Sequence, residues 1–259
     1  MKICQAKLCD FLQKGKLMSD TNHLIRYSVI TEKNPREIVL LRGNGCKWRR
    51  CSFCDYHLDF NLNPKLNYQL NAKVLAKVTG QFKRLEVINS GSFSDLDQDT
   101  MNLIKKLCIG KGITTLYFEC HWMDRLHIAA AREAFGALGI RLEIKGGVET
   151  FDRKYRESVL CKGIDTDDPK EIAEYYDQIC LLFGITGQTQ DSMERDLEIG
   201  LTYFKRVCVN LMSKNSTAIT PDKEVLSSFM STLYPRYKGN PRVDILVSNT
   251  DFGVGGTDE

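Results

Sequence analysis

The sequence predicts an α/β fold in which helices pack outside a curved parallel sheet, and three observations carry that prediction. Seven short runs rich in β-branched and apolar residues read as strands: Glu37–Arg42, Arg84–Asn89, Thr114–Glu119, Arg141–Lys145, Gln178–Phe183, Arg206–Leu211 and Val243–Val247. Segments of helical period lie between them. The 259 residues hold no internal linker and no repeat, which suits one domain. Near-continuous apolarity leads us to expect strands covered on both faces. Six or so βα units are too few for a closed eight-stranded barrel. A partial barrel and an open doubly wound sheet both remain, and each places ligands at the carboxyl ends of its strands.

Residues 1–35 read as an N-terminal helix and loop extension, and residues 36–259 as the sheet domain. Between the first two strands Leu70, Val74, Leu75, Val78 and Phe82 recur at helical spacing; Met101, Ile104, Leu107 and Cys108 do so after the second. Leu126, Ala130, Ala134 and Leu138 form the stripe expected after the third. Asp168-Pro169 with Glu171 has the pattern of an N-cap, a proline at the first helical position and a capping glutamate. Gly253, Gly255 and Gly256 mark an expected mobile tail.

Thirty-six basic residues against 33 acidic ones leave a charge of +3, too small an imbalance to mark a polyanion binder. Lysines and Asp10 interrupt every apolar run near Met1, so no signal peptide is expected, and no run reaches the length of a membrane span. A cytoplasmic location follows as the expectation, and with it a reducing environment for the ten cysteines. Clustered thiols in that setting hold metal or do chemistry more often than they form a disulfide framework. Cys108, Cys180 and Cys208 sit in apolar runs and are expected in the core.

Cys46, Cys51 and Cys54 follow the first strand with the spacing C-x4-C-x2-C, between Gly43, Gly45 and a basic stretch of Lys47, Arg49 and Arg50. Three readings compete. The thiols hold a [4Fe–4S] cluster with one iron lacking a protein ligand. They hold a structural zinc ion together with His57, as in a small RNA-binding knuckle. Or they are unligated. A knuckle has no need of the functional edge of an α/β sheet, which favours the cluster.

The loop, with Phe53 before the last cysteine, resembles that of the radical S-adenosylmethionine superfamily, where the spacing is one residue shorter. Asn89-Ser90-Gly91-Ser92-Phe93 ends the second strand where that superfamily has a short glycine motif. Glu119 ends the third strand, and Gly146-Gly147-Val148-Glu149-Thr150 ends the fourth. The resemblance spans roughly residues 37 to 213 and implies a partial (β/α)6 barrel, a [4Fe–4S] cluster and S-adenosyl-L-methionine. It implies that Cys46, Cys51 and Cys54 are cluster ligands and that Phe53, Tyr56, Ser90, Gly91, Ser92, Glu119 and Glu149 contact the cofactor. The activity implied is reductive cleavage of the cofactor to a 5′-deoxyadenosyl radical, which takes a hydrogen atom from a bound substrate.

Asn44, His57, Asn210, Asn249 and Asp251 lie near loops or strand ends and are candidates for the substrate pocket. The combination of the cysteine loop, NSGSF, FECHW and GGVETFD looks like the queuine lyases of bacterial queuine salvage. That likeness implies a C–N lyase releasing 7-aminomethyl-7-deazaguanine, and a carboxylate facing the N–H donors of the base, with Asp251 and Asp55 as candidates. It also implies an electron donor of the flavodoxin or ferredoxin kind, with no membrane and no stable nucleic acid among the partners. The alternatives are a radical enzyme acting on tRNA or another small molecule, and the zinc-stabilised RNA binder.

Overall fold

Alternation, rather than continuous apolarity, governs the strands of the computed structural model, which describes residues 24–247. The strands are β1 (Tyr27–Ile30), β2 (Arg36–Leu41), β3 (Arg84–Asn89), β4 (Thr115–Glu119), β5 (Arg141–Glu149), β6 (Gln178–Phe183), β7 (Arg206–Leu211) and β8 (Val243–Leu246). They form one sheet in chain order, with β1 antiparallel to β2 and every later neighbour parallel. A doubly wound sheet requires the order to reverse at a switch point, so the sequential order selects the curled half-barrel. Its two edges, β1 and β8, are spanned by Lys33, whose Nζ donates to the Val243 carbonyl at 2.7 Å.

Among the described residues seven α-helices connect the strands: α1 (Pro64–Leu75), α2 (Gln98–Lys111), α3 (Ile128–Gly136), α4 (Arg153–Ser158), α5 (Pro169–Tyr175), α6 (Gln190–Tyr203) and α7 (Lys223–Tyr237). With α4 and α5 sharing one connection, they supply the six βα units from β2 to β7 that the partial barrel requires. Side chains start most of them. Asn63 caps α1 ahead of Pro64, Asp97 caps α2, and Asp168 caps α5 by accepting from Lys170 N at 2.9 Å.

Three expectations change. Part of the N-terminal extension forms β1, a four-residue edge strand too short and too exposed to leave a clear pattern; residues 1–23, like the Gly253–Gly256 tail, lie outside the described residues. The stripe Leu126, Ala130, Ala134 and Leu138 faces solvent, and α3 instead buries Ile128 and Phe135. One large aromatic buries more apolar area than two alanines, so Phe135 sets the face. The strands, finally, are uniformly apolar on one face, while the other mixes polar groups with a few apolar ones such as Ile38, Leu40 and Ile88. Val39, Leu41, Leu85, Val87, Leu116, Phe118, Ile144, Ile179, Leu181, Val207 and Val209 point outward into the helix layer. The intervening Arg36, Glu86, Tyr117, Glu143, Lys145, Gln178 and Asn210 are buried inside the curl.

Candidate active site

The loop that carries the three cysteines leaves β2 and packs on the turn that leaves β3. A Cβ on Gly91 would lie 3.0 Å from the Cys46 Cα, so only glycine admits this approach. Gly45 has φ +91°, and a Cβ there would meet Arg49 and Phe60. Farther along, Ser52 donates from N and Oγ to the carbonyls of Leu160 (3.0 Å) and Val159 (2.6 Å), and Asn215 Nδ2 donates to the Phe53 carbonyl at 2.7 Å. Lys47 is held by Asp95 and Asp124 at 3.0 and 3.2 Å. The loop is thus fastened on three sides, while Cys46, Cys51 and Cys54 remain partly exposed.

That exposure opens on a cavity of about 670 Å³ inside the curl. Its wall brings together Cys46, Cys51, Phe53, Cys54, Tyr56 and His57 from the loop, with Ser90, Gly91, Glu119, Glu149 and Asn210 from strand ends. Phe53 is only 1% exposed and packs on Leu160, Leu182, Ile185 and Met212, while Tyr56 packs on the Ile38, Leu40 and Ile88 cluster.

Other expected residues fall elsewhere. Ser92 is absent from the cavity wall because its hydroxyl is engaged behind it, donating to Asp124 at 2.6 Å and accepting from His121 N at 3.0 Å. Asn44 is exposed outside the cavity, with its backbone N–H bound to the Asp95 carbonyl. Asp55 accepts from Ser216 N and Oγ at 3.1 Å and does not line the wall. Asn249 and Asp251 lie outside the described residues.

Burial pushes the Cys51 thiol up to about 12 and Cys54 higher still, against the pull of the Lys162 ammonium. Three thiols carried by one glycine-flanked loop and facing one cavity are nonetheless the donor set that an iron–sulfur cluster takes. Among the described residues no three His, Cys, Asp or Glu side chains converge tightly enough for a single ion. A four-iron cluster spreads its anchors over separate irons.

Glu149 stands at a bulge where the β5–β6 register shifts, with φ +69°. Bulges of this kind re-aim a side chain. One carboxylate oxygen accepts from Lys162 Nζ at 2.8 Å; the other, Oε2, is buried in the cavity wall with no hydrogen-bond partner. A buried acceptor left open costs stability until a ligand donor fills it. Gly147 makes room for this pair, since a Cβ there would meet Glu149 Oε1 at 2.6 Å and Lys162 Nζ at 2.7 Å. Burial, with Glu86 and Glu149 nearby, raises the Glu119 carboxyl to about 7.

A solved structure described as "queuine lyase from Clostridium spiroforme bound to SAM and queuine" superimposes with a TM-score of 0.85 and 42% sequence identity, covering 90% of this chain and all of that one. The chain belongs to the queuine lyase family. No protein-family model and no curated protein matches it.

Several polar groups of this queuine lyase fold escaped the sequence reading. Lys162, in the segment after α4, faces Cys51 and Cys54 and holds Glu149. His121 fixes that lysine's backbone: its Nε2 bonds the Lys162 carbonyl at 3.0 Å while Nδ1 accepts from Met123 N at 3.2 Å, so the proton sits on Nε2. Burial, with the Lys162 charge, keeps this imidazole neutral, its pKa about 4. Deeper in the cavity Glu86 is bound by both Arg36 and Lys145. Against the penalty of burial, these two cations hold it at about 2. Cys180 and Cys208, expected in the core, line the cavity, and only Cys108 is sealed among apolar side chains. The signal for all three strand residues was the period of two: Glu86, Cys180 and Cys208 each alternate with outward apolar neighbours.

Proposed function

We propose that this chain is a radical S-adenosylmethionine enzyme that cleaves queuine to 7-aminomethyl-7-deazaguanine, the salvage reaction of its family. The observation that carries the reading is the 42% identity to the queuine lyase along all of that chain, with a cavity walled by the three loop thiols in this one. Cys46, Cys51 and Cys54 are the residues to hold a [4Fe–4S] cluster, leaving one iron without a protein ligand. Bound there with S-adenosylmethionine, such a cluster, once reduced, would supply a hydrogen-abstracting radical.

The chain's own groups then bind, orient and shield. Ser90 and Gly91 bring backbone polar groups to the cluster side of the cavity. Glu149, oriented by Lys162, offers its open Oε2 to a ligand N–H or O–H. Glu119 offers a second acceptor once ionised. Phe53 and Tyr56 supply apolar wall against the cofactor's adenine, and Asn210 and His57 polar contacts to the substrate. The half-barrel surrounds these groups and keeps bulk water from the reacting carbon.

The partner is a one-electron donor of the flavodoxin or ferredoxin class, and a reducing cytoplasm is the compartment that suits it. Among the described residues no helix is long and apolar enough to cross a membrane.

The test is anaerobic reconstitution, followed by S-adenosylmethionine, a reductant and queuine, with products identified by mass spectrometry. Release of 7-aminomethyl-7-deazaguanine together with 5′-deoxyadenosine is expected. Cofactor cleavage that ignores queuine and depends on added tRNA would replace the substrate.

A further inference from the structure

Cys180 and Cys208 are register partners on the adjacent parallel strands β6 and β7, and both side chains line the cavity. They are half-buried, unlike Cys108. The Cys180 and Cys208 side chains stand opposite each other in the β6–β7 register, and the Lys145 charge acts on both. Glu119, from the strand end on the same cavity, acts on Cys180 as well. Apart from Cys120, whose buried thiol donates to the His121 carbonyl at 3.4 Å, the cavity therefore has two sets of thiols: three on the fastened loop and a facing pair on the sheet.

The chemistry of the proposed reaction needs such a group. Loss of a hydrogen atom from the carbinol carbon beside the C–N bond leaves an unpaired electron on the five-carbon ring. As the C–N bond breaks, the hydroxyl proton passes to the leaving nitrogen, giving 7-aminomethyl-7-deazaguanine and a ketone-bearing carbon radical. That radical must take up one hydrogen atom before the fragment can leave as a closed-shell product.

We propose that Cys180 donates this hydrogen atom, with Cys208 as the neighbouring sulfur that stabilises the thiyl left behind. The S–H bond of Cys180 breaks and a C–H bond forms on the fragment. The thiyl regains one electron and a solvent proton, the electron coming from the same class of reduced flavodoxin or ferredoxin that feeds the cluster. Each turnover then consumes one S-adenosylmethionine, two electrons and one proton, and returns the thiol unchanged. Cys208 is suited to its part because it lies opposite Cys180 in the strand register and lines the same cavity, with the Lys145 ammonium acting on its sulfur.

This inference rests on the queuine reading, and the experiments separate the two. In the holoenzyme kept oxidised, with S-adenosylmethionine bound, queuine should slow alkylation of Cys180 and Cys208 by N-ethylmaleimide about tenfold, measured by peptide mass mapping. Unprotected thiols would show that substrate does not reach them and overturn the proposal. Under turnover, wild type should form one 5′-deoxyadenosine per 7-aminomethyl-7-deazaguanine. The Cys180→Ala variant should bind queuine with unchanged affinity, lose about 100-fold in product rate and show an organic radical by electron paramagnetic resonance. A variant that works within twofold of wild type overturns the thiol's role, as does a wild type needing far less than one 5′-deoxyadenosine per product. Wild type that releases no 7-aminomethyl-7-deazaguanine at all overturns the substrate reading, and this proposal with it.

Discussion

The two faces of the sheet are built from the same strands and do opposite work. On the outer face Leu85, Val87, Leu116, Phe118, Ile179, Leu181, Val207 and Val209 are fully buried against the helices. Phe118 alone meets Phe93 with ring centroids 5.3 Å apart and Phe135 edge-on at 5.7 Å. One residue away in each strand, the inner face carries Glu86, Glu119, Lys145, Cys180, Cys208 and Asn210 around a cavity. The outer face gains its stability from area removed from water. The inner face spends stability to keep charges, thiols and unfilled acceptors in place. Chemistry is therefore confined to alternate positions, and the fold tolerates its cost because the other positions are so fully packed.

Substitutions on each face test this division. The largest effect is expected from Cys51→Ala, which should remove product formation to below about a thousandth of wild type while the circular dichroism spectrum is unchanged. Turnover near the wild-type rate would remove Cys51 from the ligand set. Phe118→Ala, the outer-face counterpart, should cost about 3–5 kcal/mol in urea unfolding. Lys162→Met should cost a similar 3–5 kcal/mol or so, because it strands Glu149 in a buried site without its cation, and Glu149→Gln in the same chain should recover part of the loss. No recovery would mean that the pair does not act as one unit.

The smallest effect lies with Glu119. Its folded-state carboxyl, raised to about 7, holds a proton that the unfolded chain has already lost above the ordinary carboxylate value. Stability should fall as pH rises between those two values, and Glu119→Gln should flatten that slope in thermal melts of the apoprotein. Ligand affinity should run the other way, rising through pH 7 as the carboxylate becomes an acceptor; a flat binding profile would take Glu119 off the ligand.

Legibility in the sequence followed the same division. The outer face announces itself through β-branched residues, so β3, β6 and β7 were placed at both ends. The inner face was harder. In Gln178–Phe183 the leucines hide the fact that Cys180 points the other way from Ile179 and Leu181. Lys162 sits in irregular chain after α4, where His121 bonds its carbonyl while its ammonium pairs with Glu149. Ser92 carried the right motif and was still turned away, because Asp124, 32 residues on, claims its hydroxyl. Sequence pattern reports the face a residue takes within its own element. Partners supplied by distant loops leave no period to read.

The tryptophan of the cysteine loop adds one practical property. Trp48 donates its indole N–H to the Cys161 carbonyl at 2.8 Å and stacks on His121 with centroids 5.5 Å apart. It is one of only two tryptophans in the chain and lies between Cys46 and Cys51. A visible-absorbing centre assembled on those sulfurs would drain its excited state by energy transfer at very short range. The protein thus has a built-in optical gauge, in which dimming of the Trp48 emission would report the assembly of such a centre without any added label.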